Sequence, residues 1–167
     1  MEKEITQGEL KEVLHYDADS GSFTWLKAIN NRIKVGGVAG CLDRYGYMRI
    51  QVLGKVYQAH RLAFLYQEGK FPLEEVDHIN HKKDDNRWSN IRHATRVENS
   101  KNRGLQLNNK SGFNGVSWEK ARNKWKVKIK INGKNKHLGR FTDIKEAIAC
   151  RKMANIDFGY HPNHGAV

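Results

Sequence analysis

The sequence predicts an α+β protein built from two units, and three observations lead to this fold class. Short helical patterns and strand patterns of period two follow one another along the 167 residues. Excess positive charge is concentrated in the last two fifths of the chain. A polar segment of small residues, 104–112, lies between the mixed-charge part and the basic part and is typical of a linker. We therefore expect one domain over 1–103 and a second over 113–161.

Composition excludes several classes of protein. Hydrophobic residues make up 38% and charged residues 29%, with 2 prolines, so the chain is neither collagen-like nor generically disordered. No window approaches 18 apolar residues, so no transmembrane helix is expected. The segment from Met1 to Leu14 is acidic and lacks the apolar core of a signal peptide. Cys41 and Cys150 form no Cys-x-x-Cys pair, which excludes a cysteine zinc knuckle and favours a cytosolic protein with two buried or free thiols.

The distribution of charge indicates the partner. Residues 1–100 hold 15 Lys+Arg against 14 Asp+Glu, a net charge of +1, whereas residues 101–167 hold 15 against 4, a net charge of +11. Such a basic segment attracts a polyanion over about 8 Å at physiological salt. A membrane surface would need a basic amphipathic helix, but the basic run has a strand pattern, so no membrane partner is expected. Nucleic acid is the expected partner, and a merely soluble, lysine-rich surface is the alternative.

The elements of the first domain follow from local patterns. Residues 6–16 predict a helix that begins with a capping box of Thr6 and Glu9. A turn then leads into a strand ending near Trp25, and residues 28–46 read as loop. Residues 47–59 predict a hairpin turning at Gly54-Lys55, and residues 60–69 predict a helix.

The second domain has the clearest patterns. Residues 124–131 alternate strictly between lysine and an apolar residue, which predicts a strand buried on one face. Asn132-Gly133 is a strong hairpin signal and makes residues 136–141 the return strand, while residues 115–118 supply a third strand. Asp143 is a candidate N-cap for a helix that runs to about Phe158. The expected fold is a small three-stranded antiparallel sheet with one packed helix.

The lysines of the central strand are candidate DNA contacts, together with one arginine of the next strand. These residues are Lys124, Lys126, Lys128, Lys130 and Arg140. Lysines on one strand face repel one another, and a phosphate backbone would turn that repulsion into attraction with release of counterions. The alternative is that an open lysine face only prevents edge-to-edge aggregation.

This second segment, about residues 110–160, resembles the plant APETALA-type (ethylene-response-factor) DNA-binding domain. The matching residues are Gly115-Val116, Lys124-Trp125-Lys126-Val127 and Leu138-Gly139-Arg140-Phe141. The resemblance implies that the sheet lies in the major groove of DNA. Where the plant pattern has base-reading arginines beside the Gly-Val pair, this chain has Asn114 and Ser117. Tolerant, backbone-dominated binding is therefore expected.

The first domain contains the residues that predict chemistry. Asp77 and His78 place a hard oxygen ligand for Mg²⁺ next to a base that titrates near neutrality. Asn90 is a candidate to bond one imidazole nitrogen, and Asn99 is a candidate second oxygen ligand. Each residue taken alone has an ordinary alternative, since Asp-His pairs are common in loops and asparagines usually make turns and caps.

The ordered set Asp77-His78, Asn90 and Asn99 closely resembles the HNH endonuclease motif of phage and intron homing endonucleases, over about residues 45–103. The resemblance implies a ββα-metal (His-Me finger) nuclease module in which His78 is the general base and Asn90 orients it. It also implies that Asp77 and Asn99 hold one Mg²⁺ or Mn²⁺ ion per active site, with no zinc. Three nearby arginines are candidates to steady phosphates, or else form surface charges and ion pairs: Arg61, Arg87 and Arg92.

The function expected from both resemblances is metal-dependent hydrolysis of phosphodiester bonds in double-stranded DNA. One site per chain means either a monomer that nicks or a homodimer that cuts both strands. The order of the two motifs resembles phage-encoded HNH proteins, which implies a cytoplasmic protein acting inside a bacterial host. The alternatives are a non-enzymatic DNA-binding regulator with a degenerate motif, and a nuclease for RNA or for structured substrates.

Overall fold

The structure is a computed structural model that describes residues 4–105 and 108–165. It is a mixed α+β protein with small antiparallel sheets and divides into two compact units, Met1–Arg96 and Val97–Val167. Positions 106 and 107 of the predicted linker lie outside the described residues. Within the described part of the chain, no helix has the length and apolar character needed to cross a membrane.

The first unit begins with a helix and a hairpin. Helix α1 spans Gln7–Val13 and carries the predicted capping box, since the Thr6 and Glu9 side chains bond each other's backbone amides. The expected continuation of this helix to residue 16 is wrong. Leu14–Asp17 forms strand β1 instead and pairs antiparallel with strand β2, Ser22–Trp25. The alternation of buried and exposed side chains along β1 is the period-two pattern of a strand.

A second sheet and a buried helix form the centre of this unit. Strand β3, Cys41–Leu42, lies inside the predicted loop and pairs with β4, Met48–Val52, which in turn pairs with β5, Lys55–Gln58. The predicted hairpin is confirmed, but its turn is one residue earlier than expected: Leu53 and Gly54 have positive φ, and Lys55 already belongs to β5. Helix α2, Ala59–Glu68, packs its apolar face into the core and ends at a left-handed Gly69.

A third, two-stranded sheet completes the first unit. Strand β6, Glu75–His78, pairs antiparallel with β7, Ile91–Ala94. The connection, residues 79–90, is an irregular loop that ends in a 3₁₀ turn over Trp88–Asn90. Helix α3, Arg96–Lys101, follows β7 and carries the chain into the second unit.

The second unit is a three-stranded antiparallel sheet with a helix packed on it, as its sequence predicts. Strands β8, Val116–Glu119, β9, Lys124–Ile131, and β10, Lys134–Phe141, lie in the order β10-β9-β8. Helix α4, Ile144–Asp157, starts at the Asp143 N-cap and packs against the sheet. Val127 and Ile129 of β9 are buried, while the lysines of that strand lie on the opposite face.

A β-bulge in β10 determines what stands beside the lysines. His137 pairs with Lys128, the register shifts at Leu138, and Arg140 pairs with Lys126. The extra residue lets His137 and Arg140, three positions apart, both lie on the side of the sheet that carries the lysines. We call this side the lysine face; it comprises Lys124, Lys126, Lys128 and Lys130 of β9 with their neighbours His137 and Arg140.

Gly21, in the turn between β1 and β2, is required by a close backbone contact. Its φ is +73°, and a Cβ added there would lie 2.9 Å from the Asn86 carbonyl oxygen and nearer still to the Arg87 amide nitrogen. Gly46 has a similar φ of +84°, yet a Cβ there would meet no atom within 4 Å. An alanine at Gly46 would therefore meet only the strain of a positive φ, whereas an alanine at Gly21 would meet that strain and a steric clash.

We expect Gly21→Ala to lower the free energy of unfolding by about 2–3 kcal/mol and Gly46→Ala by about 1 kcal/mol, because only the first adds a backbone clash to the left-handed strain. Urea denaturation of the full-length chain measures both. Equal losses of unfolding free energy in the two variants would show that the turn at Gly21 is not in close contact with the backbone at Asn86.

Candidate active site

The pairing of β6 with β7 brings together the residues of the predicted site that lie in the first unit. Asp77 stands opposite Arg92, and His78, the last residue of β6, stands opposite Ile91. Both side chains are buried, with exposed fractions of 4% for Asp77 and 6% for His78. An aspartate and a histidine are rarely buried to this extent without specific partners.

Asp77 has a cationic partner across the sheet. Its Oδ2 accepts hydrogen bonds from Arg92 Nε at 3.0 Å and from Arg92 Nη2 at 2.7 Å. This forked, charge-assisted contact keeps a positive charge beside the buried carboxylate. Arg92, a predicted phosphate contact, therefore lies within the site and contacts Asp77.

His78 is held by an asparagine that the sequence analysis did not select. His78 Nε2 lies 3.3 Å from Asn86 Oδ1, and Asn86 Nδ2 donates to the Asp84 carbonyl oxygen at 3.1 Å. The second bond fixes the orientation of the amide, so its oxygen faces the ring and Nε2 carries the proton. The lone pair of the neutral imidazole is then on Nδ1.

The expected bond between Asn90 and the imidazole is not formed. The Asn90 Oδ1 accepts from the Asn80 backbone amide at 3.0 Å, and its Nδ2 donates to the Asp85 carbonyl at 2.7 Å. Asn90 thus ties the two ends of the loop that carries Asn86, and it acts on His78 only through that loop. In an irregular loop the spacing of asparagines does not determine which amide points at the ring, so sequence alone could not distinguish Asn86 from Asn90.

Asp85 is the centre of the loop's hydrogen bonding. Its carboxylate accepts from Arg87 Nε at 2.7 Å, from Arg87 Nη2 at 2.6 Å and from Asn80 Nδ2 at 2.7 Å. The bonds from Arg87, followed by that from Asn80, lower the pKa of Asp85 from its ordinary value of 3.8 to about 2. Arg87, a second predicted phosphate contact, is therefore engaged in holding the loop.

Two aromatic side chains surround His78 and were not assigned to the site from the sequence. The His60 ring lies edge-on to the His78 ring with 5.1 Å between centroids, and the Tyr47 ring lies 6.0 Å from it. Among the described residues, the buried Nδ1 of His60 has no hydrogen-bond partner. Burial, followed by the neighbouring His78, lowers the pKa of His60 to about 3, so His60 is neutral at pH 7.

Burial also sets the charge of His78. Desolvation lowers its pKa below the ordinary value of 6.5, against the opposing effects of the Asn86 bond and the nearby aspartates. His78 is therefore a neutral imidazole at pH 7. A neutral imidazole fixed in one tautomer is able to accept a proton.

The remaining site predictions have separate outcomes. Asn99 lies on α3 within the second unit, and its role as a ligand stays a prediction. Arg61 donates to the Pro72 carbonyl at 3.0 Å and lies over the Phe71 ring. Across residues 4–105 and 108–165, no group of three or more His, Cys, Asp or Glu side chains is arranged to hold a metal ion. Asp77 precedes His78 directly and supplies a carboxylate oxygen, and Mg²⁺ commonly takes only one or two protein ligands.

The lysine face of the second unit is partly neutralised by one acid. Arg140 Nε donates to Glu119 Oε2 at 2.5 Å, and Lys126 Nζ lies 4.0 Å from Glu119 Oε1. Lys124, Lys128 and Lys130 are exposed. Arg140, a predicted DNA contact, therefore has a guanidinium that is already paired with a carboxylate.

The hydrogen bonds of Asp85 can be tested through the pH dependence of the protein's stability. A carboxyl whose folded-state pKa is lowered adds stability above its unfolded pKa near 4, and this stability is lost as the pH falls through about 2. We expect wild type to lose about 1 kcal/mol more unfolding free energy between pH 5 and pH 2 than Asp85→Asn, after allowance for solvent screening. Denaturant titrations at both pH values measure this, with the exposed Asp19→Asn as control. Identical pH dependence in wild type and Asp85→Asn would contradict the network.

The site lies in a segment that matches a known family. Residues 57–101 match the family model described as HNH endonuclease. An uncharacterized HNH endonuclease of Acanthamoeba polyphaga mimivirus is 39% identical over 94 residues, which are 55% of this chain and 47% of that protein. Protein 3.8 of Escherichia phage T7 is 35% identical over 74 residues, 44% of this chain and 60% of that protein. The matches thus span about half of the length of these relatives.

A solved structure of the HNH homing endonuclease I-HmuI, on its DNA binding and cleavage, aligns over 85% of this chain and 78% of its own with a TM-score of 0.42 and 23% identity. The matched family segment contains His60, Asp77, His78 and Asn86, and so includes the buried cluster described above. Residues 57–101 of this chain are therefore similar to the HNH endonuclease family.

Proposed function

We propose that the protein is a metal-dependent DNA endonuclease that hydrolyses phosphodiester bonds. The observation that carries the proposal is the buried, neutral His78 held by Asn86 next to the carboxylate of Asp77. The match of residues 57–101 to the HNH endonuclease family supports the same reaction class.

The proposed chemistry starts at Nδ1 of the His78 ring, the nitrogen that carries the lone pair. Nδ1 of His78 takes a proton from a water molecule, the resulting hydroxide attacks the phosphorus in line, and the 3′ oxygen leaves with a proton from solvent. Asn86 keeps the proton on Nε2 and so keeps Nδ1 basic, while Asn90 holds the loop in place. Asp77 would hold one Mg²⁺ or Mn²⁺ ion, whose positive charge would stabilise the charge that develops on the phosphate.

The second unit is proposed to bind the DNA backbone. The exposed lysines of β9 give a cationic surface without a matching set of acids, and phosphate contacts of this kind carry little sequence information. The APETALA-type resemblance stays a prediction that is compatible with the three-stranded sheet and helix of this unit. Double-stranded DNA is the proposed partner, of a monomer or a homodimer. The phage relative supports action in the cytoplasm of a bacterial host.

One observation favours a second candidate function. Asp77 is engaged by Arg92, and the described residues contain no cluster of three ligands of the kind that binds metal tightly. A DNA-binding regulator with a degenerate nuclease motif would have such a site. The two functions differ in whether wild-type protein cuts DNA with any divalent metal.

We expect His78→Ala to lower the rate of plasmid nicking in Mg²⁺ by about a hundred- to ten-thousandfold, because the general base is lost. Its affinity for duplex DNA in gel-shift assays should stay close to that of wild type. The exposed His15→Ala in β1 is the matched control and should nick at the wild-type rate. Absence of nicking by wild type across Mg²⁺, Mn²⁺ and Ca²⁺ would favour the regulator instead.

For the lysine face, we expect the double variant Lys126→Gln, Lys128→Gln to reduce the slope of log affinity against log salt by about one to two units. Fewer counterions are released from the DNA when fewer phosphates are neutralised by lysines. Lys145→Gln, Lys152→Gln removes the same charge from α4 and serves as the control. A slope that falls equally in both double variants would mean that overall charge, and not this face, governs binding.

A further inference from the structure

The second unit contains a cavity with two arginines in its lining, Arg103 and Arg151. Its volume is about 210 Å³, and it lies where β9 extends beyond its pairing with β8, next to α4 and the segment around Tyr160. Lys128 and Lys130 also border it, but their side chains belong to the lysine face, and the Lys130 carbonyl accepts from the Tyr160 hydroxyl at 2.7 Å. Within the described part of the chain, no aspartate or glutamate lines this cavity. Two guanidinium groups without a carboxylate favour an anion as occupant.

Arg151 is the unusual member of this set because it is buried. It lies on the inner side of α4 with an exposed fraction of 3%. Arginine is rarely buried without a paired charge. Among the described residues, Arg151 forms no ion pair with a carboxylate.

The partners of Arg151 are all neutral. Its Nε donates to the Asn114 carbonyl at 3.1 Å, and its Nη1 donates to Asn155 Oδ1. Its guanidinium carbon lies 4.8 Å from the centroid of the Tyr160 ring. These contacts orient the guanidinium, but none of them supplies the negative charge that would offset its loss of hydration. Accordingly, burial lowers the pKa of Arg151 below its ordinary value.

We propose that this cavity binds one phosphate group, with Arg151 as the buried anchor and Arg103 as a cation at the exposed part of its lining. A phosphate has several oxygens that accept from more than one cation at once, and the planar guanidinium suits two of them. The phosphate is either a free phosphate ion or monoester, or a phosphodiester of a nucleic-acid strand. The site is independent of hydrolysis by the first unit and goes beyond the proposed function.

The side-chain Nε–H signal of Arg151 in a ¹H–¹⁵N spectrum reports directly on this site. Full-length protein is titrated with inorganic phosphate, and sodium chloride at matched ionic strength controls for general salt effects. We expect a saturable shift of the Arg151 signal with phosphate and none with chloride. The signal is assigned by its loss in Arg151→Lys, which retains the charge but loses the planar fork.

Arg103→Gln keeps the proposal testable even if Arg151→Lys folds poorly, because Arg103 is exposed. We expect Arg103→Gln to weaken phosphate binding by about three- to tenfold, as loss of one charge-assisted contact would. Lys145→Gln, which removes an exposed charge elsewhere in the same unit, should bind phosphate as wild type does.

Two further titrations distinguish the sources of the phosphate. A duplex oligonucleotide that competes with inorganic phosphate for the Arg151 signal identifies a phosphodiester of DNA. A mononucleotide that binds where the duplex does not compete identifies a free monoester. A linear, unsaturated response at Arg151, or equal phosphate affinity in Arg103→Gln and wild type, would overturn the proposal and leave Arg151 a structural residue. Plasmid nicking is measured in parallel, so failure of this site and failure of the nuclease proposal remain separate results.

Discussion

The contact between Asn86 and the buried ring of His78 is the constraint on which the first unit depends. A histidine in this position must be neutral, and its tautomer must be fixed, before it can take a proton from a defined direction. The required amide comes from an irregular loop, whose shape is held by Asp85, Asn80 and Asn90. The loop also bonds the amino-terminal hairpin, since the Tyr16 hydroxyl donates to the Asn86 carbonyl at 2.7 Å. The amino-terminal hairpin therefore contributes to the position of Asn86 in the candidate active site.

The two units handle charge in different ways. In the first, Arg92 is paired with Asp77 and Arg87 with Asp85. These ion pairs fix the positions of the side chains and neutralise their charges. In the second, residues 101–167 carry eleven more positive than negative charges, and among the described residues Glu119 forms ion pairs with Arg122, Lys126 and Arg140. Paired charges suit a site that must hold atoms in place, and an unpaired excess suits attraction over a longer range.

Local sequence patterns predicted correctly those elements in which tertiary packing favours the same secondary structure as the local pattern. Strand β9 follows from its alternation, and the capping box of Thr6 fixes where α1 begins. The end of α1 was predicted wrongly because Leu14 satisfies both a helical and a strand pattern, and pairing with β2 decided between them. Arg151 was missed because a charged residue on a helix is normally counted as surface. The conformation of the loop at Asn86 could not be predicted for a different reason. It is set by side-chain hydrogen bonds within an irregular segment, which has no periodic pattern.

The bulge at Leu138 couples the exterior of the second unit to its interior. A single inserted residue exchanges the inward and outward positions of everything that follows it in the strand, so the outward Arg140 and the inward Phe141, which packs on the apolar core, depend on the same bulge. Gain or loss of one codon at this point would therefore change the groups displayed next to Lys126 and the packing beneath them together. Chain length in this strand is thus constrained from both faces of the sheet.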